Sequence, residues 1–178
     1  MAKTARSMAG VVMAVGMFLW AYPASAAIED AHVRSASVAI NAAIEHAIER
    51  SATFGQMVQT IQESDSIVFL TEGDCGHNQH ACFTTVTAAG SSRIMWVIID
   101  LRHAAAESDL MRSIGHELRH TIEVISERSV RNDAAKFYLY SRIGFHAKGG
   151  GFETMAATDA GNAVRDEVRN FERHATSS

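Results

Sequence analysis

His116, Glu117 and His120 are spaced as H-E-x-x-H within SIGHELRHTIEV, residues 113–124. Positions four apart on an α-helix are neighbours on one face, so two imidazole nitrogens at this spacing can converge on one metal ion. Glu117 stands about 100° round the helix from His116. That puts it beside such an ion rather than on it, where a carboxylate can serve as the base for a water. The same residues also fit a plain polar face. Leu110, Ile114, Leu118 and Ile125 make the apolar stripe of this helix, and the two histidines fall nearly opposite it, beside Asp109, Ser113, Glu123 and Glu127.

A catalytic zinc needs a third protein ligand, and Glu153 is the candidate. Placed on a final helix, it lies close to the line through Ala160, Val164 and Phe171, so a carboxylate ends an otherwise apolar stripe. Burial without a partner is costly for such a group, and a metal would supply one. The plainer account is a first-turn acid favoured by the helix dipole. Glu123 is the rival ligand, on the histidine face but further along the axis.

These residues must be positioned by the surrounding elements. Residues 28–50 show helical spacing of Val33, Ile40, Ile44, Ala47 and Ile48, and a second helix is expected over 52–63. The period then changes. SIVFL (66–70), ACFTTVTAA (81–89) and RIMWVIIDL (93–101) are rich in β-branched and aromatic residues, which predicts a small, mostly antiparallel three-stranded sheet. Ile94 to Ile99 runs apolar without alternation, as in a strand covered on both faces, with Trp96 in the core. Helical spacing returns over 106–126, 131–144 and 152–174, giving an α+β single domain.

The first 26 residues carry Lys3 and Arg6, then an apolar run, then Ala24-Ser25-Ala26, the pattern of a cleaved signal peptide. The run is shorter than the ~20 residues of a membrane span, so no stable anchor is expected after cleavage. The domain is then 27–178, exported to the periplasm or the medium. Without Lys3 and Arg6, 14 of the 16 basic side chains remain against 20 acidic ones, a formal charge of −6 that gives no attraction to nucleic acid. Cys75 and Cys82 flank CGHNQHAC, and in an exported chain two cysteines predict one disulfide. The rival, a zinc site of Cys75, His77, His80 and Cys82, has gaps too short to close a tetrahedron easily. His32, His46, His103 and His174 have no ligand-spaced partner.

GHELRH, with a strand before it and a glutamate-bearing helix after it, resembles the zincin metallopeptidases. Its specific likeness is to the gluzincin branch, here as a small exported bacterial member with the resemblance covering about residues 93–170. It departs in two ways: the interval from His120 to Glu153 is longer than in the best-known gluzincins, and FETMAA lacks their N-E-x-x-S-D pattern. The resemblance implies a zincin-like fold, Zn²⁺ on His116, His120 and Glu153, Glu117 as catalytic base, and a peptide or protein substrate paired with the strand 93–101. Tyr138, Tyr140 and His146 lie between the metal segments as oxyanion-donor candidates, and KGGG (148–151) as a flap or a simple connector. The alternative function is a non-catalytic exported binding or scaffold protein on the same fold, with or without metal. A further alternative is a histidine-rich metal scavenger that also uses His77 and His80.

Overall fold

A computed structural model describes residues 31–177 apart from 77–78, 104–105 and 148–150. The signal-peptide reading of 1–26 therefore lies outside the described residues, as do His77 and residues 148–150 of the proposed flap. In chain order the elements are β1 (Val33–Ser35), α1 (Val38–Arg50), α2 (Ala52–Gln62), β2 (Ser66–Glu72), β3 (Ala81–Ala89) and β4 (Ser92–Ile99). A 3₁₀ turn (Leu101–His103) leads to α3 (Glu107–Ser126), α4 (Asp133–Ile143), β5 (Phe145–His146), β6 (Phe152–Glu153) and α5 (Met155–Ala175). Ser37, Ser51, Asn132 and Thr154 each stand in extended backbone before a helix and accept a hydrogen bond from the N–H three residues on. They satisfy donors that a first helical turn leaves unpaired.

The α+β class is as expected, but the sheet is not three-stranded and mostly antiparallel. It has four strands in the order β1-β2-β4-β3, with β1 and β4 both parallel to β2 and only β3 antiparallel to β4. Two causes account for the difference. Val33 belongs to a short edge strand rather than to the first helix, whose cap is Ser37. The two-residue turn at Gly90-Ser91, with Gly90 at φ 60°, folds β4 back so that it inserts between β3 and β2. A separate two-stranded hairpin pairs Phe145 with Glu153 and His146 with Phe152.

Burial alternates along the central strands: Val68 and Leu70 on β2, and Met95, Val97 and Ile99 on β4, face the helical layer. The opposite face carries Ile67, Phe69, Ile94, Trp96 and Ile98, so β4 is not covered on both faces by the described residues. Trp96 is 40% exposed and stacks on Phe69 with ring centroids 4.8 Å apart, not in the core as the apolar run implied. Inside, Phe54, Ile61, Met111, Ile114, Leu118, Val164 and Val168 fill the space between sheet and helices.

Buried Arg93 closes the far end of α3. Its guanidinium donates to the carbonyls of Val124, Ile125, Glu127 and Val130 and to the Asp65 carboxylate, giving the helix C-terminus the donors it lacks. Helices α3 and α5 meet at two glycines. A Cβ on Gly115 would lie 2.9 Å from Val164 Cγ2, and one on Gly161 would lie 3.0 Å from the Arg112 carbonyl oxygen and 3.1 Å from His116 Cβ. The contact therefore depends on the missing side chains, and it carries His116 toward the C-terminal segment.

Candidate metal centre

The histidine face of α3 is not a solvated polar face. Glu117 is 6% and His120 5% exposed, because β3, β6 and the start of α5 cover that side of the helix. What remains open is a cleft of about 830 Å³, lined among others by Ala81, Phe83, His116, Glu117, His120, Lys136, Phe152 and Glu153.

His116, His120 and Glu153 are brought together at its base, with one potential ligand atom from each lying within 4.8 Å of the others. His116 Nε2 is 3.1 Å from Glu153 Oε2, and His120 Nε2 is 3.1 Å from Glu153 Oε1. The two imidazoles are edge-on to each other at 4.9 Å. Two imidazole nitrogens and a carboxylate form a group that could hold a metal ion.

Glu153 reaches the histidines from a different element than expected. It lies on β6, in the hairpin before α5, because Thr154 stays extended as the helix cap and the helix begins only at Met155. The Thr154 N–H donates to Glu153 Oε1 at 2.9 Å, which helps fix the carboxylate. Phe171, assigned to the same apolar stripe, is exposed, and the buried line of α5 runs through Ala157, Gly161, Val164 and Val168.

Glu123 is not in the converging group. Its Oε2 is 2.9 Å from the other nitrogen of His120, Nδ1, while its Oε1 accepts from Thr154 Oγ1 at 2.7 Å. Tyr140 donates to the His120 carbonyl at 2.8 Å, tying α4 to the same turn of α3. Burial alone would lower the His120 imidazole, but the hydrogen bonds to Glu123 and Glu153 push it up to about 9. Glu153 would be raised by burial and is instead held well below the usual carboxylate range by its bonds to His116 and His120. Burial pushes Glu117 upward, against the pull of His120 and His116 and of a hydrogen bond from the Phe83 backbone.

That last contact identifies the strand at the cleft. β4 has partners on both sides, so the strand expected to border the cleft, 93–101, has no free edge there. β3 is the edge strand, and its outward backbone groups meet the site: Phe83 N–H on Glu117, the Thr84 carbonyl on Lys136, and Val86 N–H on Asp133 Oδ1 at 2.9 Å. A bulge at Thr84, between Phe83 and Thr85, turns its carbonyl to the open edge. Lys136 also lies 3.1 Å from Asp133 Oδ1 and 4.6 Å from the Phe83 ring centroid. Burial lowers its ammonium pKa, with the Asp133 hydrogen bond opposing.

Cys75 and Cys82 form the expected disulfide, Cα atoms 5.9 Å apart, so neither can offer a thiolate to the rival four-ligand site. The loop they close brings Gln79 and His80 to the cleft wall. Of the oxyanion candidates, Tyr138 is exposed, Tyr140 is committed to His120, and exposed His146 stacks on Phe152 at 4.7 Å. His32 bonds the Ile61 carbonyl and His46 pairs with Glu107, both away from the cleft. Arg112, Lys136, Asp133 and Phe83 escape the sequence reading. Only Arg112 carried a usable signal, four residues before His116 on one helical face. No helix among the described residues is long and apolar enough to cross a membrane. No protein-family profile matches the chain, and neither a curated protein nor a solved structure matches it.

Proposed function

We propose that this chain is a small exported zinc peptidase of the zincin type, gluzincin-like in its ligands, that hydrolyses peptide bonds in the periplasm or outside the cell. The observation that carries the reading is the convergence of His116, His120 and Glu153 beside buried Glu117. The disulfide is in keeping with export.

The donor set suits zinc. Ligand atoms about 2.0–2.1 Å from a tetrahedral ion lie roughly 3.3 Å from one another. Each histidine is 3.1 Å from one oxygen of Glu153, and one ligand atom from each residue lies within 4.8 Å of the others, so a small inward adjustment seats the ion. Glu123 on the far nitrogen of His120 is the carboxylate partner that commonly fixes the ring of a metal-binding histidine. Bound there, zinc supplies Lewis acidity, lowering the pKa of a water toward ~7 and polarising a carbonyl.

The chain's own residues do the rest. Glu117 accepts a proton from the attacking water and passes it to the departing amine. The Phe83 N–H keeps that carboxylate against β3 while the reaction proceeds. An extended substrate pairs with β3 at its Ala81 end, because Glu117, Lys136 and Asp133 already occupy the edge at Phe83, Thr84 and Val86.

The test is zinc content together with peptide hydrolysis. Wild type should hold one zinc per chain, His116→Ala and Glu153→Ala should lose it, and Glu117→Gln should keep it while losing at least 100-fold in turnover. Zinc retained with no turnover in wild type returns the chain to a binding or scaffold protein. No zinc in the folded wild type removes the reading altogether.

A further inference from the structure

Among the described residues, His116, His120 and Lys136 at the cleft each have an acidic partner, and Arg112 has none. His116 and His120 meet Glu153, and Lys136 meets Asp133. Arg112 lines the same cleft, half-buried, with no carboxylate partner among the described residues. Its single hydrogen bond there runs from Nε to Asn162 Oδ1 on α5, at 3.1 Å. That bond orients the guanidinium plane and leaves the four N–H groups of its two terminal nitrogens without a described partner. Packing holds the stem as well: the Cβ position of Gly161 is 3.5 Å from Arg112 Cγ and 3.1 Å from His116 Cβ, so α5 braces both residues at once.

We propose that Arg112 is the substrate-recognition residue of this cleft and takes a carboxylate of the bound peptide in a two-pronged grip. The inference rests on the peptidase reading for its substrate class. A guanidinium fork matches a carboxylate in two parallel hydrogen bonds. Arg112 precedes His116 by one helical turn, about 6 Å along the axis. An extended peptide advances about 3.3–3.6 Å per residue, so the carboxylate belongs one or two residues from the bond beside Glu117. Two sources share this chemistry: the peptide's own C-terminus, which would make the enzyme trim chain ends, and an aspartate or glutamate side chain near the cleavage point. Phe83, Phe137 and Phe152 line the cleft and favour an apolar neighbour for that carboxylate.

Binding separates these possibilities without requiring turnover. N-acetyl-Ala-Phe, its C-terminal amide and N-acetyl-Ala-Glu-amide would be titrated calorimetrically into wild type, Arg112→Met and Arg112→Lys, each with and without added zinc. Circular dichroism and thermal melting would verify that the variants fold. The expected result is that the free acid binds at least about tenfold tighter than its amide. That ratio should fall to about one in Arg112→Met and recover partly in Arg112→Lys, which keeps charge but not the fork. A tenfold advantage for the glutamate amide over the phenylalanine amide, also lost in Arg112→Met, would support the grip with a side chain as its source. Equal affinities in wild type, a preference that survives Arg112→Met, or no binding of any probe up to about 1 mM would overturn the proposal. Because the titrations without zinc read Arg112 directly, failure of the zinc reading would appear separately, in metal content.

Discussion

Replacing Gly161 with alanine tests whether the α3–α5 approach sets the spacing of the metal centre. The new Cβ would meet the Arg112 carbonyl oxygen at 3.0 Å and His116 Cβ at 3.1 Å. Both are fixed to the α3 backbone, so relief requires the helices to part by a few tenths of an ångström. Overpacking of this kind costs about 1–3 kcal/mol, and exchanging a helical glycine for alanine returns about 1 kcal/mol. The net expectation is a loss of up to about 2 kcal/mol. Gly55 on α2 supplies the control, since the nearest atom to a Cβ there is 3.9 Å away. Gly55→Ala should therefore stabilise by about 0.5–1 kcal/mol through the unfolded chain alone. Urea unfolding of the metal-free proteins reads both changes, and chelator competition reads zinc affinity. Ligand distances tolerate only about 0.2 Å, and a disturbed surround typically costs 10- to 100-fold in metal affinity. About tenfold weaker zinc binding is expected for Gly161→Ala and none for Gly55→Ala. If Gly161→Ala stabilises as much as Gly55→Ala and leaves zinc affinity unchanged, the helix contact does not set the ligand spacing.

Two further predictions concern the supports of α3. Arg93→Met removes the charged donor at the Ile125 and Val130 carbonyls, while the Val124 and Glu127 carbonyls keep the N–H groups of Glu127 and Val130 and exposed Asp65 keeps Arg131. It should cost about 1–3 kcal/mol in urea unfolding. Burial alone would raise the Asp65 carboxyl, but the Arg93 hydrogen bonds and charge hold it below its ordinary value. The sign follows: the pair's contribution is complete above the unfolded pKa of about 3.9 and disappears as pH falls through the lower folded value. Wild type should thus lose more stability than Arg93→Met on acidification, and identical acid limbs would contradict the assignment. Glu123→Gln should weaken zinc binding 10- to 100-fold without changing the one-to-one stoichiometry, measured by chelator competition. Loss of stoichiometric zinc would instead make Glu123 a ligand.

Element identity was largely legible, and pairing was not. The apolar spacing over 52–63, 106–126 and 131–144 is a local signal, and the helices there begin and end within a residue or two of those bounds, whereas the first helix starts at Val38 rather than at 28. β1 was lost because Val33 fits the period of the helix that follows, and only its parallel pairing with Val68 makes it a strand. That contact joins residues far apart in the chain, which no local pattern encodes. The run Ile94–Ile99 misled for a related reason. An apolar residue on an outward sheet face looks the same in sequence as one under a helix, and only the helical layer's confinement to one side distinguishes Met95 from Trp96.

The metal-type triad was legible because two of its members are fixed by helical geometry, and the third was found for an incomplete reason. Glu153 was assigned to a helical stripe, whereas its carboxylate is aimed by the β5–β6 pairing and by the N–H of Thr154. The residue that decides this is Thr154, since a side chain that caps Ala157 must stand in extended backbone, which excludes its predecessor from the helix. The same hydroxyl donates to Glu123, and Glu123 meets His120, so one capping threonine joins the start of α5 to the ring of a histidine on α3. A helix period cannot reveal such a link. It requires two elements to dock first, and the glycines that let α3 and α5 approach, Gly115 and Gly161, look like weak helix formers until the partner helix is present. Local cost at those two positions is thus what permits the close packing that brings His116 and Glu153 within 3.1 Å of each other.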